Sequence, residues 1–190
     1  MRLRKLERKD APLMLEWMHD KSVVEDLRTN FLSKTLEDCT AFIELSQNDK
    51  DNLHFAITDD LDEYLGTASL KHIKDKTAEF GIAVRSIAMG KGYSKKAMEE
   101  ILDKGFKELN LQSIYWCVAP TNKRAIRFYE KNGYQQVGAD TFNISGGGTA
   151  KNRFNISAGI WSQKKKRETV SKRNCPYTIK KCSSSRSIKY

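Results

Sequence analysis

A glycine-containing turn, Met89–Ser94, restricts the fold of this sequence more than any other feature. The residues before it, Thr77–Val84, alternate as a β-strand does, and apolar residues after it recur at helical spacing. Gly90 and Gly92 lack a Cβ atom, so they can adopt positive φ and let the backbone approach a ligand closely. The turn is therefore predicted to present the N–H groups and positive dipole of a helix start to an anion such as a phosphate.

Positive charge around this turn agrees with an anion site. Lys91, Lys95 and Lys96 lie in or directly after it. Two glycines are also common in turns that bind nothing, so the motif by itself leaves a purely structural turn open.

A second motif, Pro120–Tyr134, follows the apolar run Ile114–Val118. Thr121 is a candidate N-cap and Gly133 a candidate C′ glycine, which predicts a short helix carrying Tyr129 directly after a buried strand.

Elsewhere the pattern predicts strands at Met1–Leu6, His54–Thr58, Leu65–His72 and Tyr134–Gly138, with another at Arg153–Trp161 after the glycine-rich loop Ser145–Thr149. Helices are predicted to begin after Asp10 and after Thr35.

The order strand, glycine turn, helix, strand, asparagine-containing helix and Gly-Tyr resembles the GCN5-related N-acetyltransferase (GNAT) superfamily. The resemblance covers Glu79–Val137 in order and spacing, agrees in element pattern over residues 1–73, and fades after about Asp140. It implies a mixed α/β (α+β) fold with a central, mostly antiparallel twisted sheet of six to seven strands flanked by about four helices.

The resemblance also implies that acetyl-CoA is the acetyl donor. The family's Gln/Arg-x-x-Gly-x-Gly/Ala loop, which wraps the pyrophosphate with backbone amides, falls on Met89, Gly92 and Ser94, and this chain departs from it at Met89 and Ser94. The residues implied to hold the donor are Ile82, Ala83 and Val84 through their backbone, the turn residues Gly90, Lys91, Gly92, Tyr93, Ser94 and Lys95, and Asn122. No metal is expected.

Tyr129 matches the family's general acid. A phenol with an ordinary pKa of about 10 lies above a thiol near 8.5, so it can reprotonate a departing thiolate while resisting ionisation itself. The alternative is a core aromatic on a helix that also carries Ala125, Ile126 and Phe128.

Glu79, on the strand that leads into the turn, is the candidate general base, because related enzymes place a carboxylate there that takes the amine proton through water. The alternative is a glutamate pointing to solvent opposite Phe80. The resemblance further implies an oxyanion donor, the backbone N–H near Val84, if this strand carries the family's bulge.

Charge divides the chain into an acetyltransferase domain, 1–161, and a basic tail, 162–190. The tail carries 10 of the 34 Lys and Arg residues against one of the 24 acids, which leaves 24 bases against 23 acids in the domain. The tail lacks apolar periodicity and is predicted to be disordered, and nucleic acid is not an expected partner of the folded domain.

No apolar stretch follows the basic start of the chain, so neither a signal peptide nor a membrane span is predicted, and a cytoplasmic location is expected. The four cysteines lack metal-site spacing, and the histidines receive no role. A homodimer stays open.

The expected function is transfer of an acetyl group to a primary amine by direct attack. The acceptor stays open among aminosugars, protein N-termini or lysines, and polyamines, with Asp20, Glu25, Asp26 and the acidic turn Asp59–Glu63 as candidates to attract a cation. Enzymes of the family that acetylate ribosomal proteins tend to have Glu at the strand position where this chain has Cys117, which argues against that acceptor. The alternative function is a catalytically drifted GNAT-shaped module that binds coenzyme A or uses its basic tail to bind polyanions.

Overall fold

The computed structural model describes residues 1–27, 29–142 and 149–173. The chain divides into two compact units, Met1–Ala158 and Gly159–Tyr190. The first unit contains a seven-stranded sheet of spatial order β1-β2-β3-β4-β5-β7-β6. Its strands are β1 (Arg2–Lys5), β2 (Leu53–Thr58), β3 (Tyr64–Lys74), β4 (Thr77–Val84), β5 (Ser113–Val118), β6 (Gln136–Phe142) and β7 (Thr149–Ser157). Neighbouring strands are antiparallel except β4 and β5, which are parallel, so the predicted sheet is confirmed.

Six α-helices lie within the described residues, which is more than the four or so predicted. They are α1 (Ala11–Met18), α2 (Lys21–Val24), α3 (Leu36–Ser46), α4 (Tyr93–Asp103), α5 (Lys123–Lys131) and α6 (Ala158–Arg173). Helix α4 continues as a π-helix over Lys104–Glu108. The predicted start of α3 is confirmed: Thr35 accepts a hydrogen bond from the backbone of Asp38, and the Asp38 side chain accepts one from the backbone of Thr35. None of the described helices is both long and apolar enough to cross a membrane.

The helices cover both faces of the sheet. Helices α1 and α3 bury Met14, Trp17 and Ile43 in one core with Ala56 of β2. Ala56 pairs with Thr67 of β3. The π-helical segment Lys104–Glu108 lies on the other face, where a Cβ atom at Gly105 would be 3.3 Å from Leu70 of β3. Leu70 is three residues after Thr67, so the two side chains point to opposite faces of the sheet.

The C-terminal elements differ from the predicted ones. The sixth strand begins two residues later than Tyr134 and extends to Phe142, and the seventh ends at Ser157, where helix α6 begins, rather than at Trp161. Helix α6 also covers Ser162–Arg173, so the expected disorder is wrong there. Lys, Arg, Glu and Gln all have high helix propensity, and the segment contains neither proline nor glycine after Gly159. Residues 174–190 of the predicted tail, and most of the Ser145–Thr149 loop, lie outside the described residues.

Candidate active site

The site begins where strands β4 and β5 separate. Their parallel pairing runs from Thr77 opposite Ser113 to Glu79 opposite Tyr115 and ends there, although both strands are described in full and continue for several residues. Beyond Glu79, the edge of β4 that faces β5 is therefore unpaired. Backbone groups along that edge are available to a ligand.

The pairing of β4 with β3 shows which backbone groups face this gap. Arg85 donates its backbone N–H to the carbonyl of Leu65, 2.9 Å away. Hydrogen-bonded and non-hydrogen-bonded pairs alternate along an antiparallel ladder, so Ile82 and Val84 direct their N–H and C=O groups away from β3 and into the gap. The backbone of Ala83 faces Thr67 instead, which corrects its predicted backbone role.

The bulge on which the oxyanion prediction depended is not found in β4. Residues Glu79–Val84 pair one to one with Lys71–Gly66 of β3, and the irregular register in this hairpin lies between Lys71 and Lys74. The N–H of Val84 faces the gap through ordinary strand alternation instead.

A cavity of about 610 Å³ opens at this separation and joins residues that are far apart in the sequence. Of the predicted site residues, Glu79, Ile82, Ala83, Asn122 and Tyr129 line it. The predicted base and the predicted acid thus share one cavity.

Tyr129 reaches the cavity from helix α5 through an aromatic cluster. Its ring lies 5.1 Å from that of Trp116 and 5.3 Å from that of Phe154, measured between ring centroids. Tyr129 is 6% exposed, and its hydroxyl has no hydrogen-bond partner among the described residues. Burial, with a smaller contribution from Tyr134, raises the pKa of Tyr129 well above its usual value. The phenol is therefore held in its protonated form, as a proton donor requires.

Glu79 lies on the same cavity with both carboxylate oxygens engaged. Oε1 is 3.2 Å from Lys71 Nζ, and Oε2 is 3.2 Å from His72 Nδ1. His72 has a φ of 53°, within the irregular end of β3, and its backbone N–H donates to Asn52 Oδ1 at 3.0 Å. This bent backbone brings the imidazole onto Glu79. Glu79 is thus a held carboxylate and not one pointing freely into solvent.

The glycine turn has the predicted backbone. Gly90 and Gly92 have φ angles of 74° and 84°, Gly92 is the N-cap of helix α4, and a Cβ atom at either position would have no atom within 4 Å. The turn residues Gly90, Lys91, Gly92, Tyr93, Ser94 and Lys95 do not line the cavity. They instead form the exposed to half-buried start of α4, where open backbone and free helix N–H groups suit a phosphate.

Asn122, and not Thr121 as predicted, is the N-cap of helix α5. Its Oδ1 accepts a hydrogen bond from the backbone N–H of Ala125 at 2.9 Å, while the Thr121 hydroxyl bonds to Asp26. The cap leaves the side-chain amide nitrogen of Asn122 as its donor towards the cavity. Gly133 ends the helix with a φ of 77°, as predicted.

Arg85 anchors the end of β4 directly before the glycine turn. It is 6% exposed, and its guanidinium binds both oxygens of Glu16 on α1, at 3.0 and 2.9 Å, and Glu63 at 2.6 Å. Helix α1, the β2–β3 turn and the segment that leads from β4 into the glycine turn are thereby joined at one side chain.

Most of the acidic residues proposed to attract a cation have structural partners elsewhere. Asp20 caps α2, Asp60 and Asp62 pair with the N-terminus and with basic side chains of the first strand region, and Glu63 binds Arg85. Among the proposed residues Asp26 lines the cavity, together with Asp38, which the sequence did not single out.

Two further polar residues that were not predicted to be functional line the cavity. His54 of β2 and Ser69 of β3 face each other across the sheet, with Nδ1 and Oγ 2.7 Å apart, and both line the cavity. A single histidine in a predicted strand gives no signal of this, because the partner is set by strand register.

The sequence is similar to those of known acetyltransferases. Residues 1–135 match the sequence profile of the family described as Acetyltransferase (GNAT) domain. The spermidine N(1)-acetyltransferase of Escherichia coli (strain K12) is 30% identical over 146 residues, 73% of this chain and 74% of that protein. The spermidine N(1)-acetyltransferase of Vibrio cholerae is 29% identical over 154 residues, 76% of this chain and 85% of that protein.

Solved structures show the same fold. The spermidine N-acetyltransferase from Vibrio cholerae in complex with CoA and spermine superimposes with a TM-score of 0.73 at 24% identity, covering 85% of this chain and 97% of that one.

Proposed function

This chain belongs to the GNAT acetyltransferase family and is an acetyl-CoA-dependent N-acetyltransferase, and we propose that its acceptor is a polyamine. The observation that carries the choice of acceptor is the set of three carboxylates, Asp26, Asp38 and Glu79, on the cavity that also holds Tyr129. A polyamine presents several ammonium groups on a flexible chain, and spaced carboxylates can bind them while one terminal amine reacts. The names of the two relatives near 30% identity point to the same class.

Lysines on the same wall do not oppose this proposal. Lys71 contacts Glu79, and Lys34 lies 3.9 Å from Asp38 with both side chains more than a third exposed. Exposed ion pairs contribute about 0–1 kcal/mol, so an incoming ammonium can replace Lys34 beside Asp38 at little cost.

The residues that hold the donor are assigned by the same proposal. The backbone amides of the Gly90–Lys95 turn and the dipole of α4 hold the pyrophosphate, while Ile82 and Val84 offer strand hydrogen bonds and Asn122 an amide donor to the pantetheine arm. Acetyl-CoA supplies an activated thioester when bound there.

Two side chains carry the proton transfers. Glu79 takes a proton from the attacking amine through a water molecule, and Tyr129 gives its proton to the departing sulfur. Burial favours the protonated phenol before the reaction, and it disfavours the phenolate afterwards, so the proton is regained readily from solvent.

An acceptor panel tests the proposal. Purified protein is assayed with acetyl-CoA and spermidine, spermine, an aminosugar, a lysine peptide or an N-terminal peptide, following free thiol. We expect the highest kcat/KM with the polyamines. Turnover of an aminosugar or peptide without turnover of polyamines would contradict the assignment of a polyamine acceptor. The assignment of N-acetyltransferase activity would be unaffected.

Carboxylate variants test whether these side chains bind the polyamine. Asp26→Asn and Asp38→Asn should raise KM for spermidine more than KM for a monoamine, because each removes an anion that only the longer acceptor can reach. Asp103→Asn, on helix α4 and outside the cavity, is the matched control. Equal changes for both acceptors would place these carboxylates outside polyamine binding.

Three expectations from the sequence remain parts of this proposal: a catalytic domain spanning 1–161 with a basic extension after it, a cytoplasmic location, and the ability to form a homodimer. Truncation after Trp161 tests the first. We expect turnover of small amines to be retained, because the cavity residues lie between Met14 and Tyr129.

A further inference from the structure

We infer that His54 and Ser69 form a second proton-accepting site for the acetyl-transfer reaction, beside Glu79. The inference rests on the N-acetyltransferase activity and holds for any primary amine acceptor. It starts from the contact between His54 Nδ1 and Ser69 Oγ, 2.7 Å apart on neighbouring strands and both on the cavity.

The pair is built into the wall of the site. Ser69 is 7% exposed and lies opposite Gly81 of β4, one position along that face from Glu79. Phe42 packs edge-on against the imidazole, with ring centroids 4.7 Å apart, which fixes the ring against the strand. The hydroxyl therefore lies between the imidazole and the part of the cavity beside β4.

The charged groups around His54 favour a neutral imidazole that can be protonated transiently. Burial lowers the pKa of His54 below its usual value near 6.5, and Lys71 lowers it further, while Asp49 acts in the opposite direction. Lys71 is in turn paired with Glu79. His54 is thereby kept as a neutral imidazole with one unprotonated ring nitrogen, whereas the two oxygens of Glu79 already contact Lys71 and His72.

The proton transfer balances without any other reactant. An acceptor ammonium gives a proton to Ser69 Oγ as the Ser69 hydroxyl gives its own proton to His54 Nδ1. The products are the neutral amine, an unchanged serine and an imidazolium. This requires the His54 tautomer with its proton on Nε2, so that Nδ1 accepts.

Rates measured against pH test the inference, because a base is needed only while the acceptor is an ammonium. We expect His54→Gln and Ser69→Ala each to lower kcat/KM about 10–100-fold at pH 7, below the full range for a general base because Glu79 remains. The loss should shrink to less than about threefold at pH 9.5, where a far larger fraction of the amine is already neutral than at pH 7. The double variant His54→Gln/Glu79→Gln should lose more at pH 7 than either single variant.

Control variants distinguish a proton-transfer role of the pair from effects on folding or on acetyl-CoA binding. Ser46→Ala and His19→Gln alter a serine and a histidine outside the cavity and should leave both ends of the pH profile unchanged. The melting shift produced by acetyl-CoA reports folding and donor binding in each variant, and Ser69→Ala remains informative if His54→Gln does not fold.

Two results would overturn the inference. A loss that is the same at pH 7 and pH 9.5 would make the pair a packing element, and no loss at pH 7 would make it a bystander. If the wild-type protein acetylates no amine, the proposed function fails instead.

Discussion

Trp116 and Tyr129 pack with ring centroids 5.1 Å apart and planes inclined by 43°, so the strand that forms one side of the gap also orients the proposed acid. Trp116 lies immediately after the last residue of β5 that pairs with β4. The point where the strands separate and the position of Tyr129 are therefore linked through one side chain.

Tyr129→Phe keeps this packing and removes the hydroxyl. We expect kcat to fall by about 10²–10⁴-fold, with little change in acetyl-CoA affinity, as measured by steady-state kinetics and a donor-dependent melting shift. Tyr134→Phe makes the same chemical change in the same cluster, outside the cavity, and should leave kcat nearly unchanged. Full kcat in Tyr129→Phe, with chemistry shown to be rate-limiting, would leave Tyr129 only a packing role.

The raised pKa of Tyr129 also predicts the alkaline side of the pH profile. A raised pKa means that the phenol stays protonated to higher pH than an ordinary tyrosine, so kcat should not decline through Tyr129 ionisation below about pH 10. A fall in kcat with an apparent pKa below 9 that disappears in Tyr129→Phe would contradict this.

Glu79→Gln removes the proposed base and releases Lys71 and His72. We expect the loss in kcat/KM to be greatest at low pH, where nearly all of the acceptor is ammonium. The loss should be partly rescued as the pH approaches the pKa of the acceptor amine. Glu108→Gln, at the end of the π-helical turn after α4 and outside the cavity, is the control. A pH-independent loss would assign Glu79 to holding its neighbours rather than to proton transfer.

Much of the fold and part of the site could be predicted from local sequence. Strand β4 was predicted with its observed ends, and the positive φ of Gly90 and Gly92 followed from the turn they form. These features depend on neighbouring residues alone.

Two features that were missed depend on contacts between distant residues. The His54–Ser69 pair exists only because β2 and β3 align in one register, and the ties of Glu79 to Lys71 and His72 depend on an irregularity in β3. At the C-terminal end, a run of good helix formers was interpreted through its charge, and helix α6 was missed.

Gly92→Val should abolish the melting shift produced by acetyl-CoA. A β-branched residue tolerates a φ of 84° poorly, at a cost of about 1–2 kcal/mol, and its side chain would block the approach of a phosphate to the backbone. Gly138→Ala, where the φ is not positive and a Cβ has no atom within 4 Å, should keep the shift. A normal shift in Gly92→Val would move the donor away from this turn.

Arg85→Met should lower the free energy of unfolding by about 1–3 kcal/mol, measured by urea denaturation. The expected loss in stability is moderate because the partners Glu16 and Glu63 have side chains 47% and 50% exposed, and their carboxylates can be rehydrated. Arg8→Met breaks an exposed pair with Glu44 and should cost at most about 1 kcal/mol. Equal effects of the two variants would show that Arg85 does not anchor the end of β4.

The most direct test of the central claim is the position of the donor in a crystal structure of the protein with CoA. We predict that the pantetheine arm lies in the gap between β4 and β5, beside Ile82 and Val84, with its sulfur about 3–3.5 Å from the Tyr129 hydroxyl. CoA bound outside this gap, or a sulfur that Tyr129 cannot reach, would contradict the assignment of the site.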